Sequence, residues 1–372
     1  MDLGALEGGG DSGSRSEAGA AADASREGGA VDGGRSPDAV SPSNCTTGVM
    51  PEKGEILLVA KDTPGVGALT IADDELVWTN GGAVHYAAGL DRPTIPAQQG
   101  ACVGKLPPVS TPGDLVALYS WGGILYAYTP AMSDGTTNAC CTFMFALGES
   151  SAKCGHTTGH TCAGWANDTL YTYFAITGGG AGGGMEGLYA DPFDGGSPIG
   201  LGEKIGTAGP EPAVPMAAYS QVLYYADSSG DIFSQPYASP SSPAMLAAGT
   251  STVVAMGIGD TGDLCWYVAD GTLYELTVGS GVMTLPRKLA TLSAPQTGAS
   301  MWVGPTHAYV TDGVGIVWVV DLAASGMLPA QLASGQNKPQ GIVAAGDGEM
   351  ASQVFWANEA DGTIRVTLYT PP

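Results

Sequence analysis

Short, largely apolar runs that end in an aromatic residue recur along most of the chain. Each run is followed by a turn-forming stretch and then by a second apolar run. The seven runs are Leu76-Val77-Trp78, Ile124-Leu125-Tyr126, Thr169-Leu170-Tyr171, Val222-Leu223-Tyr224, Leu264-Cys265-Trp266, His307-Ala308-Tyr309 and Val354-Phe355-Trp356. No helical periodicity connects their apolar positions, so the pattern predicts strands rather than amphipathic helices.

The runs repeat at a nearly constant distance. Their aromatic residues are 48, 45, 53, 42, 43 and 47 residues apart. Four-stranded propeller blades repeat roughly every 40 to 50 residues, whereas TPR and ankyrin repeats recur at about 33 to 34. We interpret each repeat as one blade, and the sequence therefore predicts an all-β, seven-bladed β-propeller.

Several blades carry an Asp-Gly pair between their second and third predicted strands. Glycine adopts the positive φ that a tight primed turn demands, which makes Asp-Gly between two β runs a strong hairpin signal. The pairs are Asp270-Gly271, Asp312-Gly313 and Asp361-Gly362. Segments such as Pro286 to Ala290 and Pro329 to Ala333 follow as predicted outer strands, and small-residue runs such as Gly341 to Ala345 as inner strands.

The two ends of the repeat region complement each other. The run Ile56 to Ala60 precedes the first blade with no second or third strand of its own, and the last blade stops after its third strand, at Leu368 to Thr370. We expect the N-terminal strand to supply the missing outer strand of the last blade. Such an exchange closes a propeller and protects its edges.

In three blades an aromatic residue at the end of the apolar run, or directly after it, is followed by a small residue and then by Asp or Asn. The three segments are Tyr225-Ala226-Asp227, Trp78-Thr79-Asn80 and Trp356-Ala357-Asn358. In this respect residues 54–372 resemble YWTD-type propellers, like those of the LDL receptor family, and related domains of bacterial cell-surface lipoproteins, although no blade carries the full tetrapeptide. The resemblance implies a propeller fold and an extracytoplasmic binding role, and it brings no catalytic residues.

The first 50 residues differ in composition from the rest. They contain 11 Gly, 8 Ala, 7 Ser and no aromatic residue. Such a segment cannot bury enough apolar surface to offset the entropy lost on ordering. We predict a disordered leader at 1–50, acting either as a tether or as a passive segment, and a propeller domain at 51–372.

The net charge and the cysteine content limit which partners and which cellular compartment fit this chain. The net charge is −23, which disfavours nucleic acid and anionic lipid headgroups as partners. No apolar run reaches the 18 or so residues of a membrane span, and no export signal is visible at Met1. The cysteines in Gly-rich loops favour an oxidising compartment. We expect an extracytoplasmic monomer, located in the periplasm, at the outer membrane surface with a lipid tether, or secreted, whose export signal lies outside this sequence.

The densest cluster of candidate ligands is Cys154-Gly-His156-Thr-Thr-Gly-His160-Thr-Cys162. Two cysteines and two histidines form one of the usual ligand sets of a tetrahedral zinc site. The spacing matches none of the common zinc signatures, in which close ligand pairs are separated by a dozen or so residues. Zinc bound by Cys154, His156, His160 and Cys162 is therefore one of two interpretations.

The other interpretation, which the residues favour, is a disulfide-tied loop. The vicinal pair Cys140-Cys141 precedes the motif and could pair with Cys154 or Cys162. Elsewhere, Cys45 and Cys102 could bridge the leader and the domain, and Cys265, flanked by Leu264 and Trp266, is expected to be a buried free thiol. Because the cysteines number seven, at least one has no partner within the chain.

Aspartates recur at equivalent turns between the second and third strands, at Asp227, Asp270, Asp312 and Asp361. They could line one face as a calcium site. Aspartate in such turns more often bonds its own backbone two residues on, so we expect turn chemistry. The glycine run 178–184 lacks the lysine and helix start of a phosphate loop, and we interpret it as a loop extension.

No set of residues converges on a catalytic mechanism. The sequence contains neither a Gly-x-Ser-x-Gly elbow nor a His-Glu-x-x-His pair, and His85 and His307 fall in or beside β runs as packed or rim side chains. We expect a non-enzymatic binding or scaffolding propeller with a protein or carbohydrate ligand. The alternative is a hydrolase or lyase with its site at the central channel, which titratable channel residues with shifted pKa values would favour.

Overall fold

A computed structural model of the chain describes residues 52–61, 65–72, 75–87, 103–105, 115, 117–121, 124–129, 141–146, 149–154, 161–177, 187–192, 199–201, 214–238, 243–278, 285–296, 298–323, 328–346 and 352–371. The predicted leader, residues 1–50, lies outside them, and its disorder stays a prediction. Within the described ranges the regular elements are all strands, and no helix there is long and apolar enough to cross a bilayer.

The described strands number 28. Their bounds are β1 Ile56–Ala60, β2 Val66–Ala72, β3 Glu75–Asn80, β4 Ala83–Ala87, β5 Val103–Lys105, β6 Ala117–Trp121, β7 Ile124–Thr129, β8 Cys141–Ala146, β9 Glu149–Cys154, β10 Thr161–Asn167, β11 Tyr171–Thr177, β12 Gly187–Pro192, β13 Ile199–Gly200, β14 Met216–Tyr219, β15 Val222–Ala226, β16 Ile232–Pro236, β17 Ala244–Ala247, β18 Val253–Ile258, β19 Asp263–Val268, β20 Thr272–Thr277, β21 Arg287–Thr291, β22 Ser300–Val303, β23 His307–Thr311, β24 Val317–Asp321, β25 Ala330–Ala333, β26 Pro339–Ala345, β27 Ser352–Asn358 and β28 Thr363–Tyr369.

These strands form seven four-stranded antiparallel sheets, which we number along the chain. Sheets 1 to 6 each use four consecutive strands, from β2–β5 to β22–β25. Sheet 7 has the order β1-β28-β27-β26, so the N-terminal strand completes it, with Ile56 opposite Thr367. The all-β propeller and its closure by the N-terminal strand are as predicted from the sequence.

The aromatic residue that ends each of the seven runs lies in the second strand of its sheet, counting sheet 7 from β26, from Trp78 in β3 to Trp356 in β27. In four sheets the second strand places an aromatic ring directly opposite a ring of the third strand, and the two rings stack with centroids 5.4 to 5.8 Å apart. Such cross-strand pairs stabilise a sheet. The pairs are Trp78 with His85, Phe174 with Tyr189, Tyr225 with Phe233 and Trp266 with Tyr274.

The apolar runs are unbroken because both faces of a sheet are buried. In β19, Leu264 and Trp266 pack in one core cluster with residues of sheet 4. The intervening Cys265 and Tyr267 pack in another cluster with residues of sheet 6. A strand buried on one face would alternate apolar and polar residues, whereas these strands present apolar side chains to both neighbouring sheets.

The first and last sheets meet at a close backbone approach. The side-chain amide of Gln340 donates to the Val66 carbonyl at 2.8 Å. Gly341 has a φ of +58°, and a Cβ there would lie 3.0 Å from the Gly67 carbonyl oxygen. Glycine fits where both a positive φ and a close contact are required. Trp78 and Phe355 share the core cluster at this junction, which joins sheet 7 to sheet 1.

Candidate functional site

A cleft of about 330 Å³ opens at the rim between sheets 6 and 7. Its walls come from β24, β25 and β28 and from the turn that precedes β1. The lining residues are Lys53, Gly54, Val319, Asp321, Leu328, Ala330, Gln331, Leu332, Thr367, Leu368, Tyr369 and Thr370. The exchange of the N-terminal strand therefore places the turn before β1 next to the C-terminal strand β28 in the wall of the cleft.

The turn before β1 forms one wall. The Glu55 amide donates to the Glu52 carbonyl at 2.9 Å, and Gly54 takes a φ of +82°. The hydroxyl of buried Thr367 donates to the Glu55 carbonyl at 2.6 Å, which fixes the turn on β28. Lys53 forms a backbone bridge with Leu368 of the same strand, so the base of its long side chain is held beside the cleft.

The cleft combines an apolar floor with charges of opposite sign. Val319 is buried at the floor, and Leu328 is 91% exposed at the mouth. Among the described lining residues the charged ones are Lys53 and Asp321. The Asp321 carboxylate accepts the Ala323 amide at 2.7 Å, so its position is held by its own turn.

The loop that carries Asp321 is anchored on both sides. The Leu322 amide donates to the Thr306 carbonyl at 2.9 Å. The Leu322 carbonyl accepts from the guanidinium of Arg287, which also pairs with the buried carboxylate of Glu275 in sheet 5. The hydrogen bond from Arg287 to the Leu322 carbonyl therefore ties sheet 5 to the loop beside the cleft, and Glu275 holds the guanidinium in place.

A histidine lies behind the tyrosine that lines the cleft. His307 Nε2 is 3.2 Å from the Tyr369 hydroxyl, and its Nδ1 is 2.8 Å from the Thr306 hydroxyl. Burial lowers the pKa of His307, and the carboxylate of Asp321 opposes that shift. Burial, and then Asp321, raise the pKa of Tyr369. Both rings are therefore neutral at pH 7 and donate or accept hydrogen bonds rather than carry charge.

The first strands of the seven sheets are the inner strands of a propeller, and here they are β2, β6, β10, β14, β18, β22 and β26. The residues of titratable type in these strands are Tyr119, Tyr219 and Cys162. The Tyr119 hydroxyl donates to the Asp168 carbonyl at 3.3 Å, and burial together with the Asp168 charge raises its pKa to about 12. A phenol of this kind is protonated at neutral pH and is a poor base.

The predicted zinc or disulfide motif falls partly outside the described residues. Cys154 ends β9 and Cys162 is the second residue of β10, whereas His156 and His160 lie outside the described ranges. In the described part of the chain, no group of three or more His, Cys, Asp or Glu residues is placed to hold a metal ion. Zinc at Cys154, His156, His160 and Cys162 stays a prediction.

The remaining cysteine predictions have different outcomes. Cys45, Cys102 and Cys140 lie outside the described residues, so the bridge between Cys45 and Cys102 is untested. Cys265 is a free, fully buried thiol, as predicted, and burial raises its pKa well above the usual value. Such a thiol is unreactive because the thiolate is the nucleophile.

The turn aspartates bond their own backbones, as predicted. Asp227 Oδ1 accepts the Ser229 amide at 2.9 Å, and Asp270 Oδ1 accepts the Thr272 amide at 2.8 Å. Asp312 and Asp361 bond their turns in the same way. Each carboxylate serves the turn of a separate sheet, so turn chemistry explains the recurrence. Calcium at these positions stays untested.

The candidate residues that the sequence analysis missed are Lys53, Asp321 and Tyr369 at the cleft and the buried turn residue Asp168. Lys53 belongs to a Glu-Lys-Gly-Glu stretch whose glycine is a turn signal, which could have indicated a turn next to the exchanged strand. Asp321 and Tyr369 are the last residues of β24 and β28, and no motif in the adjacent sequence marks them. Their proximity depends on the packing of sheet 6 against sheet 7.

No protein-family model matches the chain, and no curated protein matches it. Solved structures are similar in fold. The structure described as "Streptogramin B lyase structure" has a TM-score of 0.60 at 12% identity, covering 85% of this chain and 97% of that one. "Crystal Structure of Mitotic Checkpoint Complex" has a TM-score of 0.57 at 12% identity, covering 90% and 96%. A computationally designed protein, Ika8, has a TM-score of 0.52 at 14% identity, covering 84% and 100%. These likenesses support the β-propeller fold.

Proposed function

We propose that the chain is a seven-bladed, extracytoplasmic propeller, related in role to YWTD-type and bacterial lipoprotein propellers, that binds a short extended peptide segment of a protein ligand in the cleft between sheets 6 and 7. The observation that carries the proposal is the lining of that cleft. An ammonium group, a carboxylate and exposed leucine surround an apolar floor, and the neighbouring histidine and tyrosine are neutral.

The outer strands beside the cleft suit a peptide ligand. β25 is the edge strand of sheet 6, and β1 is the edge strand of sheet 7. An edge strand presents backbone N–H and C=O groups that an extended peptide can pair with, while side-chain pockets select its sequence. Leu328 and Leu332 offer apolar contact, and Lys53 and Asp321 can pair with charges on the ligand.

The charge of the domain favours a basic ligand. Residues 51–372 contain 28 acidic and 10 basic residues, which gives −18. A surface of this charge steers positive ligands toward it and slows acidic ones, and the effect weakens with added salt. We therefore propose a peptide segment with net positive charge and at least one apolar side chain.

The alternative is a hydrolase or lyase at the central channel. Its support is the likeness to a structure described as a streptogramin B lyase, at 12% identity. Fold alone does not carry activity from one propeller to another. In the described inner strands the residues of titratable type are Tyr119, Tyr219 and Cys162.

The test measures binding of fluorescent peptides from a defined array by polarisation. The full chain is compared with Asp321→Asn and Leu328→Ser, and Met245→Ser serves as the control because Met245 is 57% exposed on the edge strand of sheet 4. Each cleft variant is expected to weaken a binding peptide roughly tenfold, which corresponds to about 1.4 kcal/mol. The control is expected to bind like the parent chain.

Two results would overturn the proposal. Equal affinities for the parent chain and both cleft variants would place the ligand elsewhere. Mass change of array peptides or of oligosaccharides on incubation with the chain would favour the enzyme. The compartment is tested separately by fractionating the native cells, where recovery with cytosolic markers would contradict an extracytoplasmic role.

A further inference from the structure

Two cysteines, Cys141 and Cys154, occupy paired backbone positions across a hairpin of sheet 2. Strands β8 and β9 pair antiparallel through six consecutive positions, from Ala146 opposite Glu149 to Cys141 opposite Cys154. No register shift interrupts them. The two cysteines are therefore direct cross-strand partners, at the end of the hairpin away from its loop.

That placement meets the backbone requirement of a disulfide. Directly opposed residues of an antiparallel pair have Cα atoms about 4.5 or about 5.5 Å apart, depending on whether they exchange hydrogen bonds. Disulfide-bonded cysteines have Cα atoms roughly 4.4 to 6.8 Å apart. Both kinds of pair fall within this range, so the backbone spacing of directly paired residues is compatible with a disulfide.

The other cysteines nearby lack this placement. Cys162 lies in β10 of sheet 3, where it is paired with Ile176 of β11. Cys140 precedes β8 and has no partner position in the described register. We propose that Cys141 and Cys154 form a disulfide, which goes beyond the proposed binding function and does not depend on it.

The bond forms by exchange with an external disulfide, such as oxidised glutathione or a disulfide oxidoreductase. One cysteine loses its proton, and its thiolate attacks a sulfur of the oxidant to give a mixed disulfide and one free thiol. The second thiolate then attacks the mixed disulfide and releases the other thiol. Both protein thiols are oxidised, two electrons pass to the oxidant disulfide, and its two sulfurs leave as thiols.

The bond has two consequences for the chain. Because the sulfur of Cys154 is bonded in the disulfide, the oxidised protein has no thiolate at that position to bind zinc. The bond also secures β9, the outer strand of sheet 2, whose sequence Glu-Ser-Ser-Ala-Lys-Cys contains little apolar surface. Outer strands need such protection because their free edges can pair with other chains.

The test uses the full chain with Cys140→Ser and Cys162→Ser. Trypsin then yields residues 106–153 and 154–204, which contain Cys141 and Cys154 as their respective single cysteines. After refolding with reduced and oxidised glutathione, denaturation and alkylation, the two peptides are expected to run as one cross-linked mass that reduction separates. Cys265 is expected to be alkylated before reduction, which serves as the internal control.

The matched control variant carries Cys154→Ser in place of Cys162→Ser, and it is expected to lose the link to residues 106–153 or to form it at less than one tenth of the yield. Free, alkylated Cys141 and Cys154 after oxidative refolding would overturn the proposal. So would a link from Cys141 to Cys162 or to any other cysteine in the unsubstituted chain, read from fragment masses. One bound zinc per oxidised chain, lost on Cys154→Ser, would also overturn it.

Discussion

Two buried aspartates, Asp168 and Asp312, lie in turns of different sheets and hold the propeller together in different ways. Asp168 follows β10, in the turn that joins the first and second strands of sheet 3. Asp312 follows β23, in the turn that joins the second and third strands of sheet 6. They are 6% and 1% exposed, and both accept backbone N–H groups.

The bonds of Asp312 are mostly local. Its Oδ1 accepts the amides of Val314, Gly315 and Ile316 at 2.8 to 2.9 Å. Its Oδ2 accepts the hydroxyl of Ser293, in the segment that connects sheet 5 to sheet 6, at 2.7 Å. The carboxylate therefore builds its own turn and makes one contact beyond it.

Asp168 reaches further. Its Oδ1 accepts the backbone amides of Leu170 and Tyr171. Its Oδ2 accepts the Tyr173 hydroxyl at 3.1 Å and, from sheet 4, the backbone amide of Gln221 at 2.7 Å. Its carbonyl accepts the hydroxyl of Tyr119 from sheet 2. One residue thus joins sheets 2, 3 and 4, whereas Asp312 joins two.

The largest expected effect is that of Asp168→Ala. The substitution leaves four donors without their acceptor, one of them on the neighbouring sheet. Hydrogen bonds to a charged group contribute about 1.5 to 3 kcal/mol each, and donors that stay buried cost more when unpaired. We expect the free energy of unfolding to fall by about 4 kcal/mol, measured by urea denaturation at pH 7.

The control is Asp270→Ala, since Asp270 is exposed and bonds the Thr272 amide of its own turn. That variant is expected to lose about 1 kcal/mol or less. Equal losses in the two variants would show that contacts between sheets add nothing beyond turn chemistry, and the distinction between Asp168 and the local turn aspartates would fail.

Asp312→Ala is expected to have an intermediate effect that depends on pH. Burial alone would raise the Asp312 pKa, but the hydrogen bonds from the Ile316 amide and the Ser293 hydroxyl outweigh it and the pKa is lowered. The folded chain therefore favours the carboxylate, and the unfolded chain takes up the proton first, near pH 3.9. Stability from this group is present above about pH 4 and is lost as the pH falls through the folded pKa.

The measurement is the difference in unfolding free energy between the parent chain and Asp312→Ala at several pH values. We expect about 2 kcal/mol at pH 7, with the difference shrinking below pH 4. A difference that stays constant down to pH 3 would mean that packing, rather than the charged acceptor, explains the loss.

The two aspartates also mark how far the sequence predicts the molecule. Asp312 is followed by glycine between two β runs, which is a local signal, and its turn and its bonds to the backbone of that turn were predicted. Asp168 bonds Gln221, 53 residues away, and no short pattern encodes that distance. The strand exchange was predictable because each end of the chain lacks what the other supplies. The cleft was not predictable, since Lys53 and Asp321 line the same cleft only because sheet 6 packs beside sheet 7.

The smallest expected effect is a gain in stability from Gln221→Gly. Tyr219 pairs with Val222, so Ser220 and Gln221 form a two-residue loop, with φ values of 52° and 65°. Such a loop favours glycine, because the left-handed region costs other residues about 1 to 2 kcal/mol. The Gln221 side chain is exposed, and the backbone amide that bonds Asp168 is retained in the glycine variant.

After the entropy that glycine loses on folding, we expect Gln221→Gly to raise the free energy of unfolding by about 0.5 kcal/mol. The same substitution in the Asp168→Ala background decides where the positive φ originates. If the hairpin between β14 and β15 imposes it, the gain is the same in both backgrounds, because the two-residue loop is unchanged. A gain that disappears without Asp168 would mean that the bond between sheets 3 and 4 holds Gln221 in its strained conformation, and the stabilisation by Asp168 would then be smaller than its four hydrogen bonds imply.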